Sequence, residues 1–437
     1  MQYTKIKDSG FADLGYVPRH WLILRIKNRF SIICGATPSE NAENWDGDIS
    51  WITPADMSDW GDITHGKRKI SQRGYESCGT TLVPAGTVIL STRAPIGKIQ
   101  IAQNEICTNQ GCKSLQLKFP EDSTKYLSYY LLTIRRQLQE AGTGTTFKEL
   151  SINSLKNVPY LLPTPTEQSA IADYLDEKCG VIDEIIEQAK ATIEEYKAWK
   201  SSVIFEAVTK GLDPNAEMKD SGVEWIGKMP ETWELKPFRY FLHERTEKNS
   251  PVKSTERLSL SIELGVTLYS EKTTNLDRFK DDFKQYKLAH EGDLVMNSMN
   301  MIVGASGVSK YFGCVSPAYY TFYDKLPDHA SAKYCEYVFR SKAMLRILYS
   351  LGRGIYAIER GDDRVNTCRL KVPKEDLKAL LLPSPAIKEQ RKIVNYLDRK
   401  CSAIDEIIAE KEALIADMDA YKKSLIFETV TGKRKVC

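Results

Sequence analysis

Residues 161–186 read LLPTPTEQSAIADYLDEKCGVIDEII, and residues 381–408 read LLPSPAIKEQRKIVNYLDRKCSAIDEII. With Glu167 set against Glu389, an offset of 222, the copies run without a gap to Thr209 and Thr431, and 23 of the 43 paired positions are identical. Such a match is an internal duplication, and a duplication constrains the architecture before any single residue does. Between Glu167 and Val208 there is no proline and one glycine, Gly180, among good helix formers, so both copies are expected to be helical. Prolines stand just ahead of each copy, where a chain turns into a helix, and Glu167 and Glu389 put negative charge in the first turn, where the helix dipole favours it.

The apolar residues of these helices fall on heptad columns. Leu175, Ile182, Ala189, Tyr196 and Val203 step by seven, with Ile171, Ile185 and Trp199 on an adjoining column. In the second copy Leu397, Ile404, Met418 and Leu425 form one column and Ile393, Ile407, Leu414 and Tyr421 the other, while Lys178, Lys400 and Lys411 interrupt the seam. Each stripe needs a partner, and the other copy matches it in length and pattern. A helix of about 40 residues extends about 60 Å at 1.5 Å per residue, which suits a spacer better than an ordinary domain helix. Heptads define a seam without giving its direction; antiparallel pairing would relate the two halves by a pseudo-twofold axis, with whatever each half carries at opposite ends.

A second duplication lies upstream of each unlike region. KDSGFADLGYVPRHW begins at Lys7 and KDSGVEWIGKMPETW at Lys219, an offset of 212, with Gly15, Pro18 and Trp21 matching Gly227, Pro230 and Trp233. Each half therefore has one order: a KDSG segment, an unlike block, and the shared helix. In the first block, TVILST and KIQIA read as strands around the loop RAPIGK; in the second, GDLVMNSM precedes a glycine-containing loop. Both blocks close with a glycine-rich turn and a strand, GTGTTFKELSINSLKNVPYLLP and GRGIYAIERGDDRVNTCRLKVP. Two related but unlike modules on a rigid spacer suit the reading of two separate half-sites, and B-DNA repeats about every 34 Å.

Composition neither supports nor opposes this. A chain of 437 residues with 42% hydrophobic and 27% charged residues is ordinary for two to four soluble domains, and a net charge of +3 is no basic footprint. Neither an apolar leader at the N-terminus nor a run of 18 apolar residues is present, so a cytoplasmic protein without membrane attachment is expected. The ten cysteines are scattered and expected to be reduced, and Cys107 and Cys112 lack the spacing and partners of a zinc site.

The order of block and helix, together with LPTPTEQSAIADYLDEKCGVIDEII, KDSGVEWIGKMPETW and the VTKGL at the helix end, resembles the DNA-specificity subunits of type I restriction-modification systems. GATPSENAENWDGDISWITPADM, RAPIGK and TNQGCKSL in the first block, and GDLVMNSMN and VSPAYYTF in the second, resemble the target-recognition domains of that family. The resemblance covers nearly the whole chain. It implies an α+β fold: two mixed α/β target-recognition domains separated by two long helices that pair as an antiparallel coiled coil, with a pseudo-twofold internal repeat. The expected boundaries are residues 1–162 for the first domain, 163–212 for the central helix, 213–382 for the second domain and 383–437 for the C-terminal helix. The resemblance further implies double-stranded DNA as ligand, a bipartite asymmetric target, and two modification (methyltransferase) subunits and restriction/translocase subunits as partners. S-adenosylmethionine, ATP and Mg2+ would serve those partners, with no cofactor in this chain.

The residues agree that the chain is not an enzyme by itself. The nearest approach to a phosphate loop, GYESCGTT at Gly74, has threonine where a lysine must reach the phosphates, and there is no N-P-P-[YF] or D-P-P-Y tetrapeptide of an adenine methyltransferase. DNA contacts divide into phosphate positioning and base reading. In the first block Arg93, Lys98, Asn109, Gln110, Lys113, Thr145 and Lys148 are the candidates; in the second, Asn297, Asn300, Lys310, Arg353, Arg360 and Arg364. Each has a structural alternative, Asn109 as a turn cap and Arg93 as an ion-pair partner. Tyr319 and Tyr320 read as strand residues rather than stacking platforms. The spacer seam is expected to use Ile171, Leu175, Ile182, Ile185, Tyr196, Val203, Ile393, Leu397, Ile404, Ile407, Met418 and Leu425. The competing function is a coiled-coil adaptor with two protein-binding heads; a self-contained methyltransferase or nuclease is the third.

Overall fold

The structure, a computed structural model, describes residues 3–144, 148–272, 282–326, 328, 330–355, 359–360, 364–365 and 369–436. Two helices dominate it, Pro165–Lys210 and Ile387–Val430. The first, 46 residues, begins two positions before Glu167. Proline is tolerated in a first turn because that turn has no internal acceptor for its N–H. Thr164 and Glu167 close a reciprocal cap: the Glu167 N–H donates to Thr164 Oγ1 (3.3 Å) and the Thr164 N–H donates to Glu167 Oε2 (3.0 Å). At the second helix the Glu389 N–H finds the Ala386 carbonyl instead.

The chain divides into two compact units, Met1–Lys190 with Glu412–Cys437, and Ala191–Lys411. Both long helices change unit, one after Lys190 and the other after Lys411. In the first unit a five-stranded sheet runs in the order Phe30–Cys34, Cys112–Leu117, Val88–Ser91, Ile99–Ala102, Trp60–Ile63. Beside it, a three-stranded sheet is built on Trp45–Ile52. Val88–Ser91 and Ile99–Ala102 are the strands expected around RAPIGK, and Gly97 turns between them at φ +100°, a conformation side chains oppose. In the second unit the main sheet has four strands, His243–Glu244, Tyr319–Tyr323, Leu294–Asn297 and Ser306–Val308. Tyr319 is half-buried and Tyr320 buried within it.

Within each unit the two helix segments run antiparallel. In the first, Asp183 pairs with Lys422 at 2.6 Å, and Cys179, Ile182 and Ile186 share a core with Leu425, Ile426 and Val430. In the second, Lys200 pairs with Asp405 at 2.6 Å, and Gly211 lies against Glu389. As numbers rise on one helix they fall on the other. The two ion pairs are repeat counterparts, since 183 + 222 = 405 and 200 + 222 = 422.

Ile171, Leu175, Ile182, Val203, Ile393, Leu397, Ile404 and Leu425 are buried, and Tyr196, Ile407 and Met418 are half-buried. The expectation for Ile185 needs correction. Ile185 is 37% exposed and its neighbour Ile186 only 6%; Trp199 and Tyr421, also placed on the seam, are 45% and 49% exposed. The inward positions follow Leu175, Cys179, Ile182, Ile186, Ala189 and Ile193, alternate steps of four and three. The column drawn through Ile171, Ile185 and Trp199 thus falls on the adjacent, outward isoleucine.

Candidate nucleic-acid interface

The two unlike blocks are seated on the helices by the same contacts made twice. Trp21 donates through Nε1 to Glu167 Oε1 (3.2 Å), and Trp233 through Nε1 to Glu389 Oε2 (3.0 Å). The Tyr126 hydroxyl reaches the Leu161 and Val430 carbonyls, and the Tyr334 hydroxyl those of Pro383 and Val208. Tyr129 donates to Asp176 at 2.8 Å, and Tyr337 to Asp398 at 2.6 Å. These tyrosines lie on helices Thr124–Thr133 and Ala330–Arg340, and their signal was present in the sequence: KYLSY at Lys125 and KYCEY at Lys333, offset by 208. That third repeat lies inside the blocks and is too short to stand out beside the long one.

Around Glu167 the first unit gathers further donors besides the tryptophan. His20, Trp21, Tyr3 and the Thr164 N–H all converge on its carboxylate. Burial alone would raise its pKa; the hydrogen bonds, His20 foremost, outweigh it and hold the group down at about 2.

With the blocks so placed, the candidate DNA residues divide by what they already hold. Lys98 Nζ donates to the carbonyls of Pro54 (2.9 Å) and Met57 (2.6 Å), so its charge ties down the loop 54–57. Lys113 is 6% exposed and donates to the Gln110 carbonyl at 2.9 Å. Asn109 accepts the Gly111 N–H at 2.9 Å in a local turn. Gln110 is exposed, its side chain bonded to Thr37. Arg93 is exposed and pairs with Glu149 at 3.0 Å. Glu149 also exchanges backbone hydrogen bonds with Thr143, so Arg93 braces the base of the glycine-rich arm that carries exposed Lys148; Thr145 lies outside the described residues.

In the second unit Asn297 is 7% exposed and accepts the Met299 N–H, and exposed Asn300 accepts the Val303 N–H through its carbonyl. Lys310 is exposed and lines a cleft with Glu336 and Tyr337. The corresponding arm is a strand pair, Arg353–Ile355 with Arg369–Lys371; Glu359–Arg360 and Arg364–Val365 form a second pair. Exposed Arg353 stands at its base, paired with Asp376 at 2.6 Å. The second pair sets Arg360 and Arg364 opposite each other; their side chains lie outside the described residues.

Among the described residues no group of three or more His, Cys, Asp or Glu side chains could hold a metal ion, and no helix is long and apolar enough to cross a membrane. Residues 18–195 match the family model described as the type I restriction modification DNA specificity domain. The MjaIX type I restriction enzyme specificity subunit of Methanocaldococcus jannaschii is 34% identical over 264 residues, 57% of each chain. The HindI specificity subunit of Haemophilus influenzae is 27% identical over 154 residues, 34% of this chain and 33% of that one. The chain thus spans between a third and just over half the length of these curated relatives. Among solved structures, a chain from work on complex assembly and conformational transition of the type I R-M system superposes with a TM-score of 0.67 at 14% identity, covering 95% of this chain and 98% of that one. The HsdS subunit from Thermoanaerobacter tengcongensis gives 0.54 at 15% identity, covering 96% and 98%. At these identities the likeness is one of fold, and it extends from one end of the chain to the other. The first part of the chain is thus similar to the type I restriction modification DNA specificity domain, curated specificity subunits match it over part of their length, and the likeness in fold to the solved chains runs through nearly all of it.

Proposed function

We propose that the chain is the non-catalytic DNA-recognition subunit of a type I restriction-modification assembly. Each unlike block reads one half of a bipartite, asymmetric duplex target, and the long helices fix the number of base pairs between the halves. The duplicated helix surface receives two copies of one modification subunit, and restriction/translocase subunits complete the assembly. S-adenosylmethionine, ATP and Mg2+ belong to those partners.

One observation carries this reading: a constant set of contacts, Trp–Glu, Tyr–carbonyl, Tyr–Asp and Lys–Asp, occurs twice at repeat-related positions and seats two blocks of unlike sequence. A symmetric scaffold suits paired identical partners, whereas unlike readers suit an asymmetric site. The test is methylated-adenine mapping in strains with and without the chain, together with filter binding of the purified assembly. A bipartite methylated motif that disappears with the gene, and duplex affinity that falls steeply with salt, are the expected results. An assembly that forms with its partners yet shows no salt-dependent duplex affinity would favour the adaptor instead.

A further inference from the structure

The base of the second unit's arm carries a concentration of cations. Tyr320, Arg353, Lys371, Pro373 and Lys374 enclose a recess of about 480 Å³. The Tyr320 hydroxyl is committed to the Val372 carbonyl at 3.0 Å, so the ring serves as wall. Lys374 and Lys378 both bind Glu244, one on each carboxylate oxygen at 2.8 and 2.7 Å, so both oxygens are engaged. Arg353 holds Asp376 with its guanidinium still largely in solvent, the side chain 74% exposed. Lys371 is exposed and has no ion pair or side-chain hydrogen bond among the described residues. Close behind, Lys287 donates to the Tyr319 carbonyl at 2.9 Å; burial pushes its pKa down, and Lys374 and Lys371 add to the effect. Cations exceed carboxylates here even after Glu244, Glu375 and Asp376 are counted.

We propose that this recess binds a backbone phosphate of duplex DNA, with Lys371 and Arg353 as its principal charges, and that it positions the arm on the duplex without reading sequence. The inference rests on the DNA-recognition reading above and adds a division of labour within one block. Lys371 and Arg353 fix register from the base of the arm. Base reading then falls to other residues of the block. An open recess with a cation surplus suits a phosphodiester, which needs charge neutralised and stays in contact with water.

The experiment uses the chain assembled with its modification subunits, comparing Lys371→Ala and Lys371→Arg with the parent on target and random duplexes across a salt series. Lys371→Ala should weaken both duplexes by the same factor, about fivefold at 0.15 M salt, and reduce the slope of log K against log salt by about 0.9; Lys371→Arg should restore both. An unchanged slope overturns the proposal, as does a loss confined to the target duplex, which would make Lys371 a base reader. Normal DNA binding with impaired subunit assembly would overturn it in favour of an acidic protein surface. If the parent assembly itself shows no salt-dependent duplex binding, the DNA-recognition reading fails with it. Parent binding with an unaltered Lys371→Ala slope removes this site alone.

Discussion

Replacing Glu167 by glutamine should destabilise the first unit by a pH-dependent amount. The carboxylate sits at about 2 against an ordinary 4.5, held there by His20, Thr164, Trp21 and Tyr3 against its own burial. At about 1.36 kcal/mol per pH unit, that difference caps the effect near 3.4 kcal/mol. The His20 side chain is 49% exposed, so solvent screens part of its contribution, and about 2 kcal/mol is the expected value. The folded-state pKa is depressed, so the stabilisation is fully present above about pH 4.5 and disappears as pH falls toward 2. Glutamine retains one acceptor for Trp21 but has no titrating charge. Urea unfolding of the full chain, parent against Glu167→Gln, should show a difference of about 2 kcal/mol at pH 7 that shrinks below pH 4.5 and is lost as pH passes below about 2. A difference that stays constant from pH 7 to pH 3 would mean that shape, not charge, matters at this position, and would refute the reasoning.

Tyr126→Phe and Tyr334→Phe each remove one buried hydroxyl donor shared between two carbonyls and should cost about 1–3 kcal/mol in thermal or urea unfolding, whereas Tyr240→Phe on the surface should cost under about 0.5 kcal/mol. Reversing one charge at Asp183 or Lys422 should weaken the first unit and reversing both should recover it; with Asp183 52% exposed, a double-mutant cycle should give a coupling of about 0.2–1 kcal/mol. Heptads inserted together after Lys190 and Lys411 leave the Asp183–Lys422 and Lys200–Asp405 pairs intact within their own units. Because seven residues add about 10.5 Å, methylome mapping should find both half-sites unchanged and the gap longer by about three base pairs. Exchange of residues 22–160 for the equivalent block of a relative should change one half-site and leave the other.

Much of the scaffold was legible because its signals are local and doubled. Helix propensity, the flanking prolines and Glu167 and Glu389 marked both copies as long helices. The candidate interface was less legible. A lysine in a turn looks the same whether it faces a groove or a carbonyl, and Lys98 and Lys113 prove to be occupied by the carbonyls of residues 54, 57 and 110. Lys371 drew no notice in the sequence, because its lack of an ion pair among the described residues depends on strands, a turn and a helix brought together from distant positions.

The sequence by itself determined that there are two helices of one kind carrying two blocks of different kinds, since period, composition and duplication are properties of neighbours along the chain. Only the tertiary structure decided that the helix segments run antiparallel within each unit, that Ile186 rather than Ile185 faces inward, and that Tyr126 and Tyr334 hold the blocks in place. A heptad pattern is satisfied by a partner running in either direction, and adjacent isoleucines are equally apolar. The choice depends on the surface that arrives from more than 200 residues away.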